Sequence, residues 1–97
     1  MTAPDHICRI FRSLSNRSRL AILLALAQGP HTIRQLGQRL ALAQPTTHGH
    51  VAQLQTLGLI QESVRQPRGR ATLFELTAQA VAMEEHLTWI MDLLKAQ

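Results

Sequence analysis

The sequence predicts one mainly α-helical domain with a single small β-hairpin, in the order α-α-α-α-β-β-α. Three observations predict it. Apolar residues recur at helical intervals from residue 7 to residue 57 and again from residue 80 to residue 94. After Gly58 the period changes to two, around a turn that holds Pro67 and Gly69. The chain has 97 residues, 45% of them hydrophobic, which is enough for one core and too few for two. A lone core of that size is modest, and pairing of chains is a natural way to bury more surface.

The first helix is expected over residues 5–14. Ile7, Ile10, Phe11 and Leu14 form its stripe, and Pro4 suits its first turn. Ser15 and Asn16 can then break and cap. The next run, "RSRLAILLALAQ", sets Leu20, Leu23, Leu24 and Leu26 among alanines. It is apolar over much of its circumference and is the expected central buried helix. Gly29-Pro30 stops it. A third helix runs from Ile33 to about Ala41 with Ile33, Leu36 and Leu40 inward. Thr32 and Gln35 form a capping box, in which each side chain satisfies a free backbone donor. Pro45 suits a first helical position, because its missing N–H would have no partner there. That fourth helix extends to about Leu57 and stops at Gly58. "LIQESVR" and "ATLFELT" are the two strands, with Leu59 or Ile60 then Val64, and Leu73 or Phe74 then Leu76, at alternate positions. "QPRGR" between them makes a basic tip. Thr77 caps a last helix over residues 78–95, striped by Ala80, Met83, Leu87, Ile90, Met91 and Leu94.

The charge is uneven. The chain carries +4, and nine of its ten cations are arginine. Residues 1–61 hold six arginines against Asp5 alone, whereas residues 77–97 hold Lys95 against Glu84, Glu85 and Asp92. A basic body with a mildly acidic last segment suits a polyanionic partner that avoids the C-terminal end; solvated arginines on helix faces would give the same balance. The single cysteine, Cys8, rules out an internal disulfide and a four-cysteine zinc site. No run approaches 18 consecutive apolar residues, and the start lacks a secretory pattern, so a cytoplasmic location without membrane contact is expected. There is no tyrosine, no glycine-rich phosphate loop and no Ser/His/Asp or Cys/His pattern with a plausible pocket. An enzyme is not expected, nor is a cofactor.

The fourth helix raises a specific question, since "TTHGH" places two histidines two residues apart. At about 100° per residue, Thr47, Val51 and Leu54 mark the core face. His48 and His50 then point about 160° apart, and one metal ion cannot be chelated by both within one helix. His50 lies at the margin of the core face. Pro45, His48, Gly49, Ala52, Gln53 and Thr56 face outward, with Thr46 towards the edge. The outward surface is polar and small rather than charged. Gly49 costs about 1 kcal/mol relative to alanine in a helix, which fits close approach by another backbone or a groove wall.

Four stretches carry a family resemblance: "LSNRSRLAILLALAQG", "TIRQLGQRL", "LAQPTTHGHVAQLQTLGLI" and the arginine hairpin up to "LFEL". Together they resemble the ArsR/SmtB family of winged-helix repressors over about residues 11–77. Asn16 and Arg17 stand where such proteins often carry Asp-Pro, and Gly49 stands where a basic residue is common. The resemblance implies a winged helix-turn-helix protein that binds a palindromic operator as a homodimer. The third and fourth helices would form the helix-turn-helix, with the fourth in the major groove. Gln44, Thr46, His48, Gln53 and, through its backbone, Gly49 are the expected contacts to bases or nearby phosphates. Arg65, Arg68 and Arg70 on the hairpin would reach phosphates or the minor groove.

The first and last helices would form the dimer interface, through Ile7, Phe11, Met83, Leu87, Ile90, Met91 and Leu94, with Trp89 beside that stripe. The whole chain, 1–97, would thus be one DNA-binding domain with dimerisation helices at both ends. Family members often sense metals. One of their sites uses a "C-V-C" run, and Thr32, Ile33 and Arg34 stand in its place here. Another uses D-x-H and H-x-x-E in the last helix, and Glu84, Glu85, His86 and Asp92 match neither. Asp5, His6 and Cys8, with His31 as a further ligand, are the remaining metal candidates. A small inducer, a metal ion or no effector at all all stay open. The competing function is a winged-helix module that binds protein without DNA. The hairpin arginines count against it, and steep salt dependence of binding would separate the two.

Overall fold

Two helices open the chain, α1 (Ala3–Leu14) and α2 (Arg17–Leu26), followed by a two-residue strand, β1 (His31–Thr32). Helices α3 (Ile33–Leu40) and α4 (Gln44–Thr56) come next, then strands β2 (Ile60–Glu62) and β3 (Leu73–Leu76). A last helix, α5, begins at residue 78. The computed structural model describes residues 3–64, 66, 71–83, 85 and 86, those at 3, 4, 6 and 7 as backbone.

Most local signals in the sequence act as expected at the helix ends, although α2 closes at Leu26 with Ala27 as its cap, ahead of the Gly29-Pro30 stop. Asn16 caps α2, its Oδ1 accepting from the Arg19 N–H at 3.1 Å. The Thr32–Gln35 capping box is complete, with Thr32 Oγ1 accepting from Gln35 N–H at 3.1 Å and Gln35 Oε1 from Thr32 N–H at 2.9 Å. Thr77 caps α5 by accepting from Ala80 N–H, and its hydroxyl also donates to the Gly58 carbonyl at 2.7 Å. Gly58, at φ +79°, takes the left-handed conformation that ends α4. Ala41 does the same after α3 at φ 56°, a conformation an alanine adopts only at some cost.

The strand at His31–Thr32 is absent from the sequence expectation. It pairs antiparallel with β3, His31 opposite Phe74 and Thr32 opposite Leu73, so the sheet has three strands in the order β1-β3-β2. Two residues show no period, and the pairing is long-range, which is why the strand is invisible locally. On its other side β3 pairs with β2, from Ile60 opposite Leu76 to Glu62 opposite Phe74. Past the regular ladder, the Gln66 amide clasps both arms. It donates to the Ser63 carbonyl at 2.7 Å and accepts from Leu73 N–H at 2.9 Å.

The core joins Ile22, Leu23 and Leu26 of α2, Leu36 of α3, Val51 and Leu54 of α4, and Leu59, Ile60 and Phe74 of the hairpin. Ile22, Leu36, Leu54 and Leu59 are wholly buried, each worth roughly 1.5–3 kcal/mol. Two apolar expectations need correction. Helix α2 is buried on one face only, and Leu20 and Leu24 are 37% and 52% exposed, because its partners α1, α3, α4 and β3 leave the opposite face open in the single chain. Val64 is 86% exposed rather than inward, two residues past the end of β2.

Candidate nucleic-acid interface

Helices α3 and α4 meet closely, and Gly37 makes that possible. A Cβ there would lie 2.7 Å from Gln44 Nε2, 3.0 Å from the Leu42 carbonyl oxygen and 3.3 Å from Thr47 Oγ1. The left-handed Ala41 turns the chain, and Ala41 and Leu42 both donate their N–H groups to the Gly37 carbonyl. Pro45 lies in the first turn of α4. Thr47, Val51 and Leu54 are then buried as the periodicity predicts, with Thr47 Oγ1 donating to the Ala43 carbonyl at 2.9 Å. That burial fixes what α4 turns outward.

Gln44, Thr46, His48, Gly49 and Gln53 are all exposed. They occupy two strips of one surface. Gln44 and His48 line a groove of about 430 Å³ between α3, α4 and the start of β3, with Arg34, Gln55 and Thr72 beside them. Thr46, Gly49 and Gln53 lie on the other strip, Gln53 about 140° round the helix from His48. No residue of α4 is charged. The cation nearest this surface in the groove is Arg34, together with Gln55 a groove residue that the sequence reading did not single out. Their signal was topological: the groove exists only once β3 returns beside α3.

Gly49 has nothing within 4 Å of the position a Cβ would take. The protein's own packing therefore does not require glycine there. Arg65, Arg68 and Arg70 lie outside the described residues, as do Leu87, Trp89, Ile90, Met91 and Leu94. The side chain of Ile7 lies outside them too. Of the remaining interface candidates, Phe11 is 58% exposed and Met83 is partly buried against the core.

The two histidines of α4 part company, as their spacing requires. His48 is exposed in the groove. His50 is half-buried and accepts at Nδ1 from Arg19 Nε at 3.1 Å. Burial, and then the adjacent Arg19 charge, hold its pKa below the ordinary histidine value. Neither this contact nor the one at His31 was anticipated. His31 Nδ1 lies 2.8 Å from the Gly29 carbonyl, so it carries the proton there, and Nε2 accepts from Arg39 at 3.0 Å. Both ring nitrogens are thus engaged in hydrogen bonds within the chain. Asp5 and Cys8 are exposed, and the side chain of His6 is outside the described set. Among the described residues no three His, Cys, Asp or Glu side chains are grouped to hold a metal ion. No helix among them is long and apolar enough to cross a membrane.

Comparison with known proteins agrees with this architecture. A sequence profile described as the MarR family matches residues 16–71. A 57-residue stretch is 37% identical to the LexA repressor of Staphylococcus haemolyticus; it takes in 58% of this chain but spans only 28% of that repressor's length. Among solved structures, an ArsR family transcriptional regulator superposes with a TM-score of 0.68 at 25% identity, over 99% of this chain and 97% of the other. A homodimeric winged helix-turn-helix DNA-binding domain from Mycobacterium bovis, of a possible ArsR-family regulator, gives 0.75 at 23% identity, over 91% and 79%. The second likeness, at that identity, speaks for the fold alone.

Proposed function

This chain belongs to the MarR family and has the winged-helix fold of ArsR-type transcriptional regulators, a family and fold of regulators rather than enzymes; from that premise we propose that it is a homodimeric repressor acting on a palindromic DNA operator in the cytoplasm. The observation that carries the proposal is the outward surface of α4: polar, uncharged, unobstructed, and mounted on a helix whose other face is locked into the core. Such a surface suits base edges, which offer hydrogen bonds, better than it suits phosphates.

In this reading α4 enters the major groove. Gln44 and Gln53 pair with bases, and an amide side chain can bond adenine in bidentate fashion. Thr46 and His48 serve bases or nearby phosphates. Gly49 lets the helix backbone approach the groove. With α4 free of charge, affinity has to come from its flanks: Arg65, Arg68 and Arg70 on the hairpin. The first and last helices join two copies, through Ile7, Phe11, Met83, Leu87, Ile90, Met91 and Leu94. The Mycobacterium bovis domain, homodimeric and DNA-binding by its name, supports a dimer on DNA without saying which helices pair.

Selection of bound duplexes from a random pool tests the proposal, repeated with zinc, nickel, copper and a chelator. Inverted repeats with half-sites about one helical turn apart are the expected product. Recovery of no enriched sequence under any of these conditions would overturn the reading. A response confined to one metal would return attention to Asp5, His6 and Cys8.

A further inference from the structure

The buried face of α4 is held by burial of Thr47, Val51 and Leu54, an attraction without direction. The Arg19–His50 contact supplies one. Arg19 Nε–H donates to His50 Nδ1 at 3.1 Å, and Arg19 Nη1 donates to Ser13 Oγ at 3.2 Å. Its backbone N–H is held in turn by Asn16. One guanidinium thereby joins the end of α1, the first turn of α2 and the middle of α4.

The bond works in one protonation state. A guanidinium has donors only and keeps its charge, so the imidazole must present a bare Nδ1 and carry its proton on Nε2. A proton on Nδ1 would set N–H against N–H and cation against cation across 3.1 Å. Among the described residues, Arg19 is the one hydrogen-bond partner of the His50 ring. Ser13 from α1 is already bonded to Arg19. Of the charged groups on α3, Arg34 lines the groove with His48, and Arg39 is bonded to His31 and Gln28. On β2, Glu62 is exposed. On α4 itself, His48 points about 160° away.

We propose that Arg19 is the positioning residue that sets the roll of α4 against α1 and α2, and that protonation of His50 releases it and weakens duplex binding. The effect on binding rests on the DNA-binding reading above; the release itself does not. Its sign is diagnostic. Protonation of exposed histidines near DNA strengthens attraction to phosphate. Loss of affinity in acid that belongs to His50 runs the other way.

The test has two arms on the full chain, both at pH values where far-UV circular dichroism is unchanged. The first uses no DNA. Imidazole and amide NMR spectra are followed from about pH 8 to about pH 5.5, around the ordinary histidine value. The amides of α4 are expected to shift in step with His50. In R19Q, His50 should titrate closer to its ordinary value, with the α4 amides displaced already at the upper pH. The second arm measures binding to a random-sequence duplex long enough for two half-sites. H50Q keeps an acceptor facing Arg19 and has no proton to gain. The wild-type affinity divided by that of H50Q should fall about tenfold across the range, the order expected when one hydrogen bond is broken. Constancy of that ratio would overturn the switch. Unmoved α4 amides in R19Q would overturn the positioning role. Absence of any duplex binding would overturn the DNA-binding reading, with the strut still judged by the first arm.

Discussion

Gly49 is the residue where the free protein and its proposed complex disagree most. Within the chain a methyl group there meets nothing, so Gly49→Ala should stabilise the fold by about 1 kcal/mol through helix propensity. The same methyl would stand between the α4 backbone and a groove wall. Duplex affinity should therefore drop while the urea midpoint rises. A variant that gains stability and keeps its affinity would show that Gly49 is no point of approach. His50 makes the second prediction at this scale. Its folded pKa is lowered, so the unfolded chain takes up the proton more readily and stability rises with pH. The contribution is complete above the unfolded value, near 6.5, and is lost as pH falls from there through the lower folded value. Urea midpoints measured across that window should decline more steeply for wild type than for His50→Gln. Spacing alone placed His48 and His50 on different sides. It could not find Arg19, 31 residues away from His50 in the chain, because nothing local marks that meeting.

At the scale of elements, the α3–α4 pair depends on its closeness. Gly37→Ala gains helix propensity but drives a methyl onto the Leu42 carbonyl, backbone that cannot swing aside. Overpacking of this kind costs about 1–3 kcal/mol, and the net expectation is a loss of about 1 kcal/mol with poorer duplex binding. Thermal or urea unfolding decides it, and a more stable G37A would refute the packing argument. The hairpin carries the other prediction. Arg68→Ala combined with Arg70→Ala should weaken a selected operator and random DNA alike, flattening the log–log salt slope by about 0.9 for each phosphate that is no longer neutralised. Gln53→Ala should instead narrow the gap between the two. Equal salt slopes for the double variant and wild type would remove the hairpin from the mechanism. Helix ends were legible because caps are local: Asn16, Thr32 with Gln35, Thr77 and Gly58 all act within four residues or at a single φ. The strand β1 was not, because its pairing lies more than 40 residues away.

For the whole molecule, Phe11 is the telling residue, 58% exposed on a helix one side of which enters the core through Ile10. Two copies joined through their first and last helices would cover it. Phe11→Ala should then weaken the dimer by about 2 kcal/mol, or some thirtyfold, with little effect on the folded single chain. Sedimentation equilibrium reads the constant directly, and an unchanged value would move the interface elsewhere. By itself the sequence determined the kinds and order of the four helices α1–α4, caps at Asn16, Thr32 and Thr77, the paired arms β2 and β3, and which side of α4 is packed. Each of those follows from periodicity or from groups a few residues apart. Only the tertiary structure decided that a third strand joins the sheet, that α2 leaves Leu20 and Leu24 uncovered, that Arg34 shares a groove with His48, and that Arg19 braces His50. These depend on which distant segments meet, and a period shows which face a residue takes without showing what that face will touch.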